Sequence, residues 1–115
     1  MPNAGASPVF ALRTIINAKT AQNEVGYYPE IMNGKYIEST LYVVFDGTAA
    51  AGTVVVETAN DRDYAGTWAN IGTVTFASAS KQHYVSVTGV FAAIRVRISS
   101  AITSGTISAY AIGTN

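Results

Sequence analysis

The chain has no cysteine, and that absence removes disulfides, thiolate nucleophiles and thiolate metal sites together. Charge is also scarce. Only 12 % of the 115 residues are charged, about half the share usual in soluble proteins, and the formal net charge is zero. A nucleic-acid binder needs a basic excess to neutralise phosphates, so no nucleic-acid partner is expected. Leucine, the strongest apolar helix former, occurs only at Leu12 and Leu41. No apolar run is long enough for a membrane-spanning helix, and no membrane partner is expected. The opening Met1-Pro2-Asn3-Ala4-Gly5-Ala6-Ser7-Pro8 lacks the basic start and apolar run of a signal peptide, so synthesis in a cytoplasm is expected.

Valine, isoleucine, threonine and tyrosine are abundant, and these side chains suit a pleated surface. With 49 % hydrophobic residues, a chain of this length can bury one continuous core. Glycine and small polar residues punctuate the apolar runs at short intervals, the pattern of many short strands joined by turns. The spacing predicts strands over 9–18, 25–28, 36–46, 53–58, 68–76, 83–87, 92–99 and 106–112. On the first, Phe10, Leu12 and Ile16 are expected to share a face. Ile37, Leu41, Val43 and Phe45 are expected on one face of the third, with Tyr36, Tyr42 and Val44 on the other, as in a central strand or one whose outer face meets another subunit. Ile94, Val96 and Ile98 alternate with Arg95, Arg97 and Ser99, the pleat of a half-buried strand. Turns are expected at Asn33-Gly34, across Gly47 to Gly52 and at Ser104-Gly105, and a bulge near Asn70 or Gly72. The expected fold is a single all-β antiparallel sandwich of about eight strands, jelly-roll-like, over residues 9–115, with residues 1–8 as a flexible arm.

Candidate chemistry is sparse. Asp61-Arg62-Asp63-Tyr64-Ala65-Gly66 opens like a calcium loop, but Ala65 and Gly72 stand where oxygen ligands are required. A hairpin loop with solvated charges fits those residues better than a metal site. His83 is the only histidine, and no sequence signature marks Ser78, Ser80 or Ser86 as an activated nucleophile. Glu24, Glu30, Glu38 and Glu57 are the acids from which a glycosidase pair would be drawn, and they do not cluster around aromatics. No glycine spacing makes a phosphate loop. No catalytic residue, metal or cofactor is therefore expected. Interface residues are expected at Tyr36, Tyr42, Val44, Trp68, Arg95 and Arg97. For Trp68, a core anchor, an interface anchor and a sugar-stacking platform all remain open. Arg95 and Arg97 are expected to pair with an acid or meet a neighbouring subunit.

Three segments carry a resemblance. They are Gly52-Thr53-Val54-Val55-Val56-Glu57-Thr58 with Gly66-Thr67-Trp68, Gly89-Val90-Phe91-Ala92-Ala93-Ile94-Arg95-Val96-Arg97-Ile98, and Ser104-Gly105-Thr106-Ile107-Ser108-Ala109-Tyr110. Together they span about the last two-thirds of the chain. In this order they are similar to small β-sandwich virion proteins of tailed bacteriophages, among them head-decoration (cement) and tail-associated proteins. The same order resembles discoidin-type sugar-binding sandwiches. The loop departs from the Ser-x-Asp-x-Gly-x-x-Trp pattern of Asp-box hairpins, since Thr58, Asn60 and Asp61 are out of register with Gly66 and Trp68. The virion resemblance implies a capsid-decoration protein. It would act as a homo-oligomer such as a trimer, with the major capsid protein or another virion protein as partner. A tail, neck or baseplate component is the alternative within the virion, and a glycan-binding module the alternative outside it.

Overall fold

A computed structural model describes residues 9–28, 36–76 and 81–114. The expected arm at 1–8 and the Asn33-Gly34 turn lie outside the described residues. Eight strands follow in order: β1 (Val9–Lys19), β2 (Val25–Tyr27), β3 (Tyr36–Ala50), β4 (Thr53–Ala59), β5 (Ala69–Thr75), β6 (Gln82–Val90), β7 (Ala93–Ser100) and β8 (Ser104–Thr114). Among the described residues, no helix is long and apolar enough to cross a membrane.

The strands form two four-stranded antiparallel sheets, β1-β8-β3-β6 and β2-β7-β4-β5. The pairs β1·β8, β2·β7, β3·β6 and β4·β5 match the first strand with the last and so on inward. This is the chain of an antiparallel ribbon folded at the β4–β5 loop and rolled into two layers. The further pairs β3·β8 and β4·β7 complete the sheets. The protein is a β-sandwich with jelly-roll strand order.

Period-two patterning puts the core between the layers. Leu41, Val43 and Phe45 of β3, Val54 and Val56 of β4, Ile94, Val96 and Ile98 of β7, and Ile107, Ala109 and Ala111 of β8 are fully or almost fully buried. Phe45 takes edge-on contacts from Phe76 and His83, with ring centroids 5.4 and 5.5 Å away. β3 lies between β8 and β6, the central placement that its two apolar faces predict. Tyr28 is also sealed inside. Burial raises its phenol pKa well above the ordinary range, and the nearby Ser39 hydroxyl only partly offsets that. Neither hydroxyl has a hydrogen bond of good geometry.

Three local expectations are corrected. Leu12 does not share the inward face with Ile16: Ile16 is buried while Leu12 is 54 % exposed. The register of β1 on β8 shifts between Phe10 and Arg13, between Thr14 and Ile16, and between Ile16 and Lys19, and each bulge interrupts the alternation. The turn expected across Gly47 to Gly52 contracts to Ala51 and Gly52, because β3 continues to Ala50. Gly105 is likewise inside β8 rather than in a turn. Gly47 (φ 71°) and Gly105 (φ 75°) face each other where the β3·β8 register shifts between Asp46 and Ala50. Positive φ serves a bulge there, and bulges and turns draw on the same residues. The bulge expected near Asn70 and Gly72 is present, since Val56 pairs with Gly72 and Glu57 with Asn70, leaving Ile71 unmatched.

Candidate functional site

The two outer faces of the sandwich are built differently. On the β2-β7-β4-β5 sheet, register aligns Tyr27 with Arg95 and Arg95 with Glu57, while Val25 aligns with Arg97 one step along. Glu57 is only 4 % exposed. Its Oε1 accepts from Arg95 Nε at 2.9 Å and from Arg97 Nε at 3.0 Å, and its Oε2 accepts from Arg97 Nη2 at 3.1 Å. Burial by itself pushes the carboxyl pKa up. The hydrogen bonds and positive charge of Arg97 and Arg95 outweigh that and hold it below the usual range. Arg97 is raised in turn by its bond to Glu57, and its Nη1 donates to Asn23 Oδ1 at 3.2 Å.

Aromatic rings cover the same face. The β4–β5 loop tightens where the Asp63 amide donates to Asp61 Oδ1 at 2.8 Å and the Tyr64 amide to the Asp61 carbonyl at 3.1 Å. The indole Nε1 of Trp68 then donates to the Tyr64 carbonyl at 2.9 Å. Arg95 sits 4.2 Å from the Trp68 ring centroid, Tyr27 meets Trp68 edge-on at 6.1 Å, and Arg62 lies 4.7 Å over Tyr27. Two touching rings are thus flanked by two guanidiniums, each cation against a ring face. This layer leaves Trp68 4 % exposed.

The outer face of the β1-β8-β3-β6 sheet has no such layer. Tyr42 pairs with Tyr84 on one side and Tyr110 on the other, so three tyrosines form one row across β6, β3 and β8. Tyr84 is 68 % exposed. Beside it Leu12, Tyr42, Val44, Gln82 and Tyr110 line a shallow depression of about 370 Å³. The outward residues of β3 between Glu38 and Asp46 are Thr40, Tyr42 and Val44, and those facing them on β6 are Ser86, Tyr84 and Gln82. These facing positions of β3 and β6 carry no charge. Depletion of charge with enrichment in tyrosine marks the centre of protein interfaces.

The expected interface residues therefore occupy two places. Tyr42 and Val44 belong to the tyrosine face; Tyr36 opens β3, but its side chain lies outside the described residues. Trp68, Arg95 and Arg97 belong to the opposite face, where both arginines pair with Glu57. Trp68 is outside the inter-sheet core, capping the second sheet from without. His83 is half-buried against Phe45. Asp61 and Asp63 are exposed in their loop, and no three His, Cys, Asp or Glu side chains gather as metal ligands among the described residues. Sequence reasoning missed Glu57 as the partner of both arginines and Leu12 and Tyr84 as surface groups. The available signal for Glu57 was its place as an outward acid on a strand as β-branched as β7.

No family model matches the chain, and no curated protein matches it. A solved structure of the Bacillus endospore appendages, described as a novel family of disulfide-linked pili, superposes with a TM-score of 0.50. The alignment covers 96 % of this chain and 88 % of that one, at 14 % identity. The likeness is one of fold.

Proposed function

We propose that this protein is a structural, non-enzymatic subunit of a tailed-phage virion, a capsid-decoration protein that works by binding copies of itself and the capsid surface. One observation carries the assembly part of this reading. Among the described residues the row of Tyr42, Tyr84 and Tyr110 has uncharged neighbours on β3 and β6 and leaves Tyr84 68 % exposed, whereas the opposite face is closed by its own Glu57–arginine–aromatic layer. The virion part rests on the resemblance of the three segments above, and jelly rolls are frequent in viral capsids, although fold alone does not fix function. Zero net charge supports it as well, because copies do not repel one another at long range. Modest contacts repeated over a lattice then add by multivalency.

The likeness to a pilus protein favours a second reading, assembly into a filament. Without cysteine, such a filament is held by non-covalent contacts alone. A glycan platform at Trp68 is disfavoured, because that ring is buried under Arg95 and its indole N–H is taken. The test is to add purified protein to capsids lacking decoration and sediment them, with imaging of labelled particles. Saturable co-sedimentation and label over the capsid lattice are expected. Label confined to the tail, or no binding to any virion part, overturns the decoration reading.

A further inference from the structure

Tyr84 stands out from β6 at one edge of its sheet, while the depression lined by Leu12, Tyr42, Val44, Gln82 and Tyr110 lies beside it on the same face. A projecting ring next to a shallow, mainly apolar hollow is a self-complementary pattern. Strand order sets the geometry that satisfies it. With the order β1-β8-β3-β6, a twofold axis parallel to the strands and midway between β8 and β3 lays β6 of one copy over β1 of the other. Tyr84 then meets β1 of the partner copy at the level of Thr14, from which its ring reaches the Leu12 side of the hollow, and the reciprocal contact forms at the same time. The same axis brings Asp46 toward the end of the partner copy's sheet where Lys19 lies, since both residues sit at the Ile107 end.

The area is adequate. Four strands at about 4.8 Å spacing and nine residues at about 3.3 Å rise give a footprint of roughly 600 Å² per copy. Two copies thus bury about 1,200 Å², the lower end of specific interfaces. The facing positions of β3 and β6 between Glu38 and Asp46 carry no charge, so little desolvation cost opposes their closure.

Resting on the assembly reading above, we propose that the occupant of this face is a second copy of the chain, docked sheet to sheet about a twofold axis with Tyr84 of each copy in the Leu12–Tyr42–Tyr110 hollow of the other. An interface of this size belongs to the weak end of the specific range, and an aromatic knob seated in a hollow carries a large share of the binding.

Sedimentation over a concentration series reads the parent against Tyr84→Ala, an exposed site whose truncation leaves the fold intact. At least a tenfold weakening is expected. Because the chain has no cysteine, a second experiment is clean: Thr14→Cys and Tyr84→Cys chains are mixed and treated with a short bis-maleimide reagent, which spans the roughly 10 Å between sheets packed face to face. Crosslinked dimers containing one chain of each kind are expected in excess over like-with-like pairs, whose cysteines lie on opposite edges of the sheet pair. Undiminished association of Tyr84→Ala, or absence of mixed dimers, overturns this interface. So does a parent that stays monomeric yet binds capsids, an outcome that leaves the assembly reading standing. A monomer whose Tyr84 binds glycans instead overturns it too. Loss of both self-association and virion binding removes the two readings together.

Discussion

Replacing Glu57 by glutamine keeps the shape of the side chain and removes its charge, leaving two guanidiniums that were held at 2.9 and 3.0 Å with no counter-charge. Three hydrogen bonds to the carboxylate are weakened, each worth about 1.5–3 kcal/mol when a partner is charged. That sum overstates the loss, because the Arg95 and Arg97 side chains are 17 % and 26 % exposed and regain water. A net cost of about 2–3 kcal/mol follows, below the 3–5 kcal/mol typical of breaking a fully buried pair. Urea unfolding followed by Trp68 fluorescence measures it directly, since the only tryptophan is stacked under Arg95. The midpoint should fall with the slope unchanged. The pH dependence supplies a second check. The Glu57 pKa is lowered in the folded state, so its stabilisation is complete above the unfolded carboxyl pKa and disappears as pH falls through the folded value. The gap between parent and Glu57→Gln should be constant near neutrality and close below about pH 4. A gap under about 0.5 kcal/mol at pH 7, or one that widens in acid, refutes the account of this network.

Phe45→Ala removes the ring at the centre of the core and should cost about 3–5 kcal/mol in urea unfolding, with loss of the contacts to Phe76 and His83. Gly26→Ala should cost about 2–3 kcal/mol although alanine is the smallest change available, because its Cβ collides with the Ile15 backbone where β1 crosses the edge strand β2. Thermal unfolding of that variant unchanged from the parent would show that β1 is free to shift. Tyr28→Phe deletes a buried hydroxyl that lacks a well-formed hydrogen bond, and should be neutral or stabilising by up to about 1 kcal/mol. A clear loss of stability would place a hydrogen bond between Tyr28 and Ser39.

Alternation made β7 and β3 legible: Ile94, Val96 and Ile98 face in, as do Leu41, Val43 and Phe45, and the outward sets follow by the pleat. The eight segments and the sandwich follow from the same period. What alternation cannot carry is a bulge, because one extra residue reverses every later assignment on that strand. Leu12 was misplaced for that reason, as were the glycines at 47 and 105. Partnership across strands is equally invisible, since Glu57 lies 38 and 40 residues from its two arginines and only the β4·β7 register joins them. Trp68 stayed undecided in sequence for the same cause. Its burial depends on the β4–β5 loop bending back so that the Tyr64 carbonyl meets the indole.

Edges constrain how such a sandwich meets copies of itself. β1 is bulged, β2 is three residues long, and β5 is bulged at Ile71, all devices that blunt pairing with a foreign strand. β6 pairs with β3 without a register shift, so it is the regular edge among the four. Association through that edge and association through the tyrosine face both involve β6, and they make opposite demands on Tyr84. Edge pairing uses the backbone of β6 and leaves an outward tyrosine in solvent, so truncating the ring changes little. Face packing buries the ring in the partner copy's hollow, so truncation is costly. Sensitivity to Tyr84 therefore separates sheets packed face to face from sheets joined edge to edge through β6, two arrangements that both close at two copies and so differ in this variant rather than in copy number.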